Sequence, residues 1–472
     1  MRVLLINPPS PAIYQVFMPL GLASIAGCLL RHGHEVTVWD INAERWSKEA
    51  VLRRIRRLQD RGLLVGITSL GGDYPYVNWL CGSFRTACPE TQIVIGGHLA
   101  SALPRFLVEH LPVDFVAVGE GEETMVELAG ALDDGKTPAS VRGLWFRDPT
   151  GRIVRTPERP RLKSLGNLPL PPWDLFPMEI YLQDPHPGLG CRTDGEGAGL
   201  VSIMASRGCP FDCIYCDHTV KGYRPRYRPV ESVLHEMKVL LEKYGDRIKV
   251  FYFWDDILIW DRRWVHEFCE GLARKGLRVQ WTCNGHVNRV DRRLAEEIKS
   301  AGCVNIRFGI ESGSQRILDA LNKGVRVERA LTALRTCLDA GLSLTLYIMV
   351  GMTGENDDSI RETVDFFRRL IRPFYLSQIK RLHFFMLTPF VGTKLFDRVR
   401  AQGRVPDLEE YLHRACDAYY DIPLNISGRK DHELLRMRES LESGILGIFG
   451  EETNRLYEVL FDMYREAAVG IC

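Results

Sequence analysis

The 472-residue chain lacks any apolar run approaching the roughly 18 residues of a membrane-spanning helix. No leader is expected either. Met1 and Arg2 run straight into four apolar residues and then Asn7-Pro8-Pro9, too short for a signal-peptide core, so a cytoplasmic location is expected. Charge of either sign is not in excess: 61 Lys and Arg stand against 60 Asp and Glu. No global field therefore draws in nucleic acid or an anionic membrane, and no nucleic-acid partner is expected. The basic stretch 221–228 reads equally as a solvated loop or a hold on an anionic substrate. Internal repeats and low-complexity segments are missing, which with 45% apolar and 26% charged residues indicates an ordinary globular composition. The length gives roughly three domains at about 150 residues each.

A disulfide framework is also unsupported. The 13 cysteines are odd in number and scattered. Most, such as Cys28, Cys81, Cys269 and Cys337, sit alone among apolar residues and read as small buried hydrophobes.

Short apolar runs alternate with amphipathic stretches over the first 140 residues. Strands are expected at 3–6, 35–40, 65–69, 93–95 and 115–118, with a helix at 20–31 capped by Gly33. This rhythm indicates an α/β fold with a doubly wound parallel sheet. The strand ends are Asn7-Pro8-Pro9, Asp40, Ser69-Leu70-Gly71-Gly72-Asp73, Gly96-Gly97-His98 and Gly119-Glu120-Gly121-Glu122. Such ends form the ligand crevice of an open α/β sheet, and glycines there admit a large ligand. No G-x-G-x-x-G follows the first strand, which disfavours a nicotinamide or flavin dinucleotide.

Residues 151–198 are crowded with proline and then glycine, and read as an extended linker with a short helical turn near 175–181. Six further βα units follow, with strands expected near 201–205, 249–254, 278–283, 304–310, 343–350 and 380–387 and helices at 230–244 and 359–371. They point to a partial (β/α)6 barrel over 199–390, with its chemistry at the strand ends. Residues 391–472 read as a helical C-terminal domain, amphipathic over 453–468.

The end of the first barrel strand reads Ser206-Arg207-Gly208-Cys209-Pro210-Phe211-Asp212-Cys213-Ile214-Tyr215-Cys216. Three thiolates spaced C-x3-C-x2-C on one loop suit three irons of a cluster, and no fourth cysteine follows closely. One iron is then left open for a ligand, as in catalytic metal sites. A zinc site and three core thiols are the alternatives.

The motif resembles the radical S-adenosylmethionine superfamily. The resemblance implies that Cys209, Cys213 and Cys216 hold a [4Fe-4S] cluster whose open iron chelates S-adenosylmethionine. One electron, from a donor such as flavodoxin or ferredoxin, then yields methionine and a 5′-deoxyadenosyl radical. It further implies that Tyr215 lies near adenine, that Asp255 or Asp256 pairs with the ammonium, and that Glu311 serves the ribose and methionine groups. Ile348 and Gly351 match the backbone segment that contacts adenine. The stretch Thr388-Pro389-Phe390 with Gly392-Thr393 is also similar to this group.

The N-terminal sheet before such a core is similar to the subgroup with a cobalamin-binding domain, over residues 1–150. That similarity implies cobalamin contacts from Ser69, Gly71, Gly96, Gly97, His98, Gly119 and Glu120. The chain has no D-x-H-x-x-G segment, so no histidine is offered to the lower face of cobalt, as in many members of the subgroup. The implied activity is C-methylation of an unactivated carbon in a small-molecule substrate. Radical ring formation, rearrangement or oxidation with the same cofactors is the alternative. A methylthiotransferase needs a second cluster on three N-terminal cysteines and a C-terminal RNA-binding β-barrel, neither of which is legible here. A non-catalytic cobalamin or iron–sulfur carrier would not need the strand-end residues Glu311 and Gly351.

Overall fold

Strand β1 (Arg2–Asn7) buries Val3, Leu4, Leu5 and Ile6 in succession. A strand apolar on both faces belongs inside a parallel sheet covered by helices. It pairs in parallel with β2 (Glu35–Asp40) on one side and β3 (Leu63–Ser69) on the other. The parallel run continues through β4 (Gln92–Gly97) and β5 (Phe115–Ala117), giving the order β2-β1-β3-β4-β5. The computed structural model describes residues 1–9, 17–58, 62–183, 199–220, 222–417 and 422–449.

Two strands extend this sheet beyond the sequence expectation. β6 (Leu144–Arg147) and β7 (Ile153–Arg155) add to β5 as an antiparallel hairpin. The domain border expected at residue 150 therefore falls inside the hairpin, and residues 153–155 of the expected linker are sheet. The helix expected at 20–31 forms as Leu20–Arg31, followed by Gly33 at φ +79°. Near the expected turn of helix, a 3-10 turn at Trp173–Leu175 leads to the helix Met178–Gln183. Tyr181 donates to Asp40, the buried end of β2, and Asn7 donates to the same carboxylate at 2.9 Å.

β8 (Leu200–Ile203) opens the second sheet, which continues through β11 (Val250–Phe253), β12 (Gln280–Gly285), β13 (Cys303–Glu311), β14 (Ser343–Val350) and β15 (Ile379–Met386). All neighbours are parallel and the spatial order follows the chain, with β8 and β15 at the two edges. This is the open (β/α)6 arrangement expected from sequence. Helices Val230–Tyr244 and Asp357–Leu370 agree with the expected positions, the latter with an Asn356–Ser359 capping box. The short β9 (Ser206–Arg207) and β10 (Arg226–Tyr227) pair antiparallel and close the neck of the intervening loop.

The chain divides into two units. One contains Met1–Tyr181, Asp217–Gly222 and Phe390–Asp417, and the other Leu182–Cys216, Tyr223–Pro389 and Ala418–Cys472. The expected helical C-terminal domain is thus split. Residues 408–414 form a helix that joins the first unit, where Tyr74 donates to Glu409 at 2.9 Å and packs edge-on against His413. The helix Asp431–Phe449 belongs to the second unit. The amphipathic stretch expected at 453–468 lies outside the described residues. Among the described residues no helix is long and apolar enough to cross a membrane.

Candidate functional site

In the second unit, the loop after β9 begins at Gly208, whose φ is +109°. A Cβ there would stand 2.7 Å from the Arg224 carbonyl oxygen, so only glycine lets the two ends of the loop approach this closely. The loop is fastened from several strand ends. Asp255 accepts from the Ala205 amide and Asp256 from the Gly208 amide, both at 3.2 Å. The Ile214 amide donates to Leu321 O at 3.1 Å, and Asn322 Nδ2 to Asp212 O at 2.7 Å. Phe211 stacks on His286 with ring centroids 3.7 Å apart and meets Trp260 edge-on.

Cys209 and Cys216 are half-buried and Cys213 is buried. A hydrogen bond with Cys216, and then the Lys323 cation, draw the Cys213 thiol down to about 7 against the opposing effect of burial. That favours the thiolate, the form that ligates iron. Among the described residues, no three His, Cys, Asp or Glu side chains converge on a single ion. A cluster takes one thiolate per iron, and this donor set fits it.

Next to the loop lies a buried triad. Lys323 Nζ donates to Glu311 Oε1 at 2.8 Å and to the Tyr215 hydroxyl at 3.0 Å, and Tyr215 donates to the same Glu311 oxygen at 3.0 Å. Burial, followed by the Glu311 charge, raises the Tyr215 hydroxyl well above its usual range. Glu311 holds a left-handed φ of +65°, rare for a side chain of this kind. Gly309 makes room for the triad: a Cβ there would lie 2.2 Å from Glu311 Oε1. Lys323 was not singled out from sequence, because a lysine in a Leu-Asn-Lys-Gly turn carries no pattern.

Asp255 and Asp256 do not form a solvated turn. Asp255 is 1% exposed, and burial pushes its carboxyl up to about 7. Its Oδ2 is taken by backbone, whereas Oδ1 has no hydrogen bond of good geometry among the described residues, with the Ser206 hydroxyl beside the carboxyl. An orphaned carboxylate oxygen suits a ligand donor such as an ammonium. Ile348 is wholly buried, leaving its backbone as the available contact. Gly351, at φ +111°, is fixed by Glu355, which accepts from the amides of Gly351 and Met352 at 2.6 and 3.1 Å.

In the first unit the strand order reverses between β1 and β3, the position where open α/β sheets place ligands. Ser69 is buried and donates to Gly96 O at 2.8 Å. Gly97 has φ +97°, and a Cβ there would stand 2.6 Å from Ser69 O. Ser101, which sequence reasoning missed, donates to Gly97 O at 2.8 Å and accepts from the Gly119 amide at 3.0 Å. One hydroxyl thereby ties the β4 end to the loop after β5. A Cβ at Gly96 or Gly119 would meet nothing within 4 Å, so this platform is open, as a large flat ligand requires.

Three expected contacts are engaged otherwise. Glu120 accepts from the Leu162 amide at 2.7 Å and secures the following segment. A Cβ at Gly71 would lie 3.6 Å from the side chains of Phe390 and Val391. His98 Nδ1 stands 2.5 Å from Asp217 Oδ2, and this hydrogen bond keeps the Asp217 carboxyl below its ordinary range despite burial. His98 is thus committed to a carboxylate within this unit. Cys28, Cys81 and Cys88 are each buried, and burial pushes Cys81 up to about 12, so these thiols do not offer a second cluster site.

Comparison with known proteins assigns a domain to each region. Residues 203–367 match the Radical SAM superfamily and residues 12–129 the B12 binding domain. An uncharacterized methyltransferase of Pyrococcus horikoshii is 29% identical over 404 residues, 84% of this chain and 83% of its own length. An anaerobic magnesium-protoporphyrin IX monomethyl ester cyclase of Rubrivivax gelatinosus is 26% identical over 422 residues, 87% of this chain and 72% of its own. Among solved structures, the radical S-adenosylmethionine methyltransferase TsrM of Kitasatospora setae, with cobalamin and a [4Fe-4S] cluster bound, superposes with a TM-score of 0.68. It is 21% identical, and the match covers 85% of this chain and 75% of that one, a likeness of fold. With a cluster-type cysteine loop at the first strand end of one sheet and an open glycine platform at the switch point of the other, the chain is a radical S-adenosylmethionine enzyme of the subgroup that carries an N-terminal B12-binding domain.

Proposed function

We propose that the protein methylates an unactivated carbon of a small-molecule substrate, using a [4Fe-4S] cluster, S-adenosylmethionine and cobalamin. The observation that carries this reading is the cysteine loop. Its start is pinned by Asp255 and Asp256, and its Tyr215 is locked into the Glu311–Lys323 pair. When bound, these groups supply a 5′-deoxyadenosyl radical for hydrogen abstraction and a transferable methyl group.

The chain's own residues hold, orient and shield. Cys209, Cys213 and Cys216 would ligate the cluster, and the Cys216 hydrogen bond, with the Lys323 charge, inclines Cys213 to the thiolate. Asp255 Oδ1 would accept from the ammonium of S-adenosylmethionine. Ile348 and Gly351 would offer backbone to adenine, with Glu355 fixing the turn. Ser69, Gly96, Gly97 and Gly119 would form the floor under the corrin, with Ser101 as its brace. A low-potential one-electron donor such as flavodoxin or ferredoxin would serve the cluster, and so many free thiols suit a reducing, cytoplasmic setting.

The test is anaerobic reconstitution with iron, sulfide, cobalamin and reductant. Formation of 5′-deoxyadenosine together with a product heavier by one CH2 supports the reading, and absence of 5′-deoxyadenosine under reducing conditions overturns it. Similarity to the magnesium-protoporphyrin ester cyclase favours one second reading, radical ring formation. In that case 5′-deoxyadenosine appears without the added CH2.

A further inference from the structure

His286 lies just beyond the end of β12 and is 6% exposed. Its Nδ1 accepts from the Asn288 amide at 3.3 Å. A backbone amide only donates, so Nδ1 presents a lone pair and the proton of the neutral ring sits on Nε2. Burial, with the Lys323 and Arg289 charges, holds the ring neutral by drawing its pKa down to about 3. Nε2 is therefore a buried N–H donor, and it has no partner among the described residues. Native structures seldom leave such a group unsatisfied.

The ring is also fixed in place. It lies flat on Phe211, at an interplanar angle of 14°, and Phe211 stands between Cys209 and Cys213 in the loop. Trp260 braces Phe211 from the side. Arg289 in turn stacks over Trp260 at 4.3 Å and donates to its carbonyl at 2.6 Å. A half-turn of the imidazole would keep the stack but forfeit the Asn288 bond. The charged groups that act on His286 are the cations Lys323 and Arg289, which are donors themselves. Neither can accept from Nε2, and the stack on Phe211 places the ring against the cysteine loop.

We infer that His286 donates its Nε2 proton to a sulfur of the cluster carried by this loop. The inference rests on the reading of Cys209, Cys213 and Cys216 as cluster ligands. A cluster on three thiolates is anionic and rich in sulfur acceptors, and hydrogen bonds to those sulfurs help set its reduction potential. The donor stabilises the reduced, more negative state and raises the potential. His286 acts here as a positioning and tuning residue; it does not ligate iron.

The test is a redox titration of the reconstituted full-length protein with titanium(III) citrate, followed by electron paramagnetic resonance, without S-adenosylmethionine. His286→Phe keeps the stack on Phe211 and removes the donor, and His286→Gln keeps an N–H. At the native midpoint, His286→Phe is expected to lower the reduced-to-oxidised ratio about tenfold, which is 59 mV for a one-electron couple. His286→Gln is expected to stay near the native ratio. Equal ratios in the native protein and His286→Phe, with unchanged iron and sulfide content, overturn the inference. Where His286→Phe binds no iron, His286→Gln decides: a near-native ratio supports the donor, and a tenfold loss overturns it. Loss of the cluster from both variants assigns His286 a packing role and also overturns the inference. A native protein that assembles no cluster overturns the cysteine reading along with it.

Discussion

Replacing Gly97 by alanine separates what the glycine platform does for the fold from what it does for a ligand. Gly97 has φ +97° and ψ −163°, a conformation open essentially to glycine alone. Holding another residue there costs about 1–3 kcal/mol before any contact is counted. The new Cβ would also press on backbone, 2.6 Å from Ser69 O and 2.9 Å from Ser69 N. Those atoms belong to the end of β3 and cannot swing aside as a side chain would. A total near 3 kcal/mol is expected. For a unit of this size that lowers the unfolding midpoint by about 6–12 °C. The neighbour is the control: a Cβ at Gly96 meets nothing within 4 Å, so Gly96→Ala should unfold within about 0.5 kcal/mol of the native protein. Thermal unfolding of both variants, with cobalamin uptake read from the visible spectrum, completes the test. Gly97→Ala should fail in stability, and Gly96→Ala only in uptake. A Gly97→Ala protein that melts with the native one would refute the steric reasoning.

Alanine at Cys209, Cys213 or Cys216 should abolish the iron–sulfur absorbance and all turnover while leaving cobalamin uptake largely intact; a variant that still carries four irons would contradict the ligand assignment. Lys323→Met should strand the Glu311 carboxylate, 6% exposed, beside Tyr215 alone and cost about 3–5 kcal/mol in denaturant unfolding of the metal-free protein. His383 stacks on Tyr347 and lies parallel to Phe385, and its pKa is drawn down to about 3 by burial, with the Arg381 and Arg307 charges adding to it. The unfolded chain therefore takes up this proton more readily, so the contribution to stability is complete above about pH 6.5 and is lost as the pH falls. Between pH 6.5 and 5.0 the loss is about 2 kcal/mol from this ring. His383→Phe should remove that part of the slope, and an unchanged slope would show that the ring is not held neutral.

The parallel strands of both sheets were legible because they are short apolar or alternating runs between turn residues, as at Val3-Leu4-Leu5-Ile6. The cysteine loop was legible from its spacing alone. The β6–β7 hairpin was not, because its outer strand, Ile153–Arg155, is half-exposed and sits among prolines. Nor do spacing rules show which way a strand-end polar group turns. Glu120 and His98 were both expected as ligand contacts, yet Glu120 bonds the Leu162 amide and His98 pairs with Asp217. Lys323 and His286 gain meaning only through Glu311 and Phe211, which lie 12 and 75 residues away in the chain. The split of the C-terminal region follows from Tyr74 meeting Glu409 across 335 residues, a pairing that no local pattern announces.

The two units are not consecutive stretches of polypeptide, and this governs how the protein is made. The second begins at Leu182, returns six residues to the first at Asp217–Gly222, and later yields Phe390–Asp417 as well. The B12-binding sheet therefore leaves the ribosome long before its last helix has been synthesised. Its final contacts wait for nearly the whole of the other sheet, and closing loops of that length slows folding. No single cut frees either unit whole. A truncation after residue 181 would expose the surface that the late helix covers, and ancestral shuffling of one part without the other would have met the same obstacle.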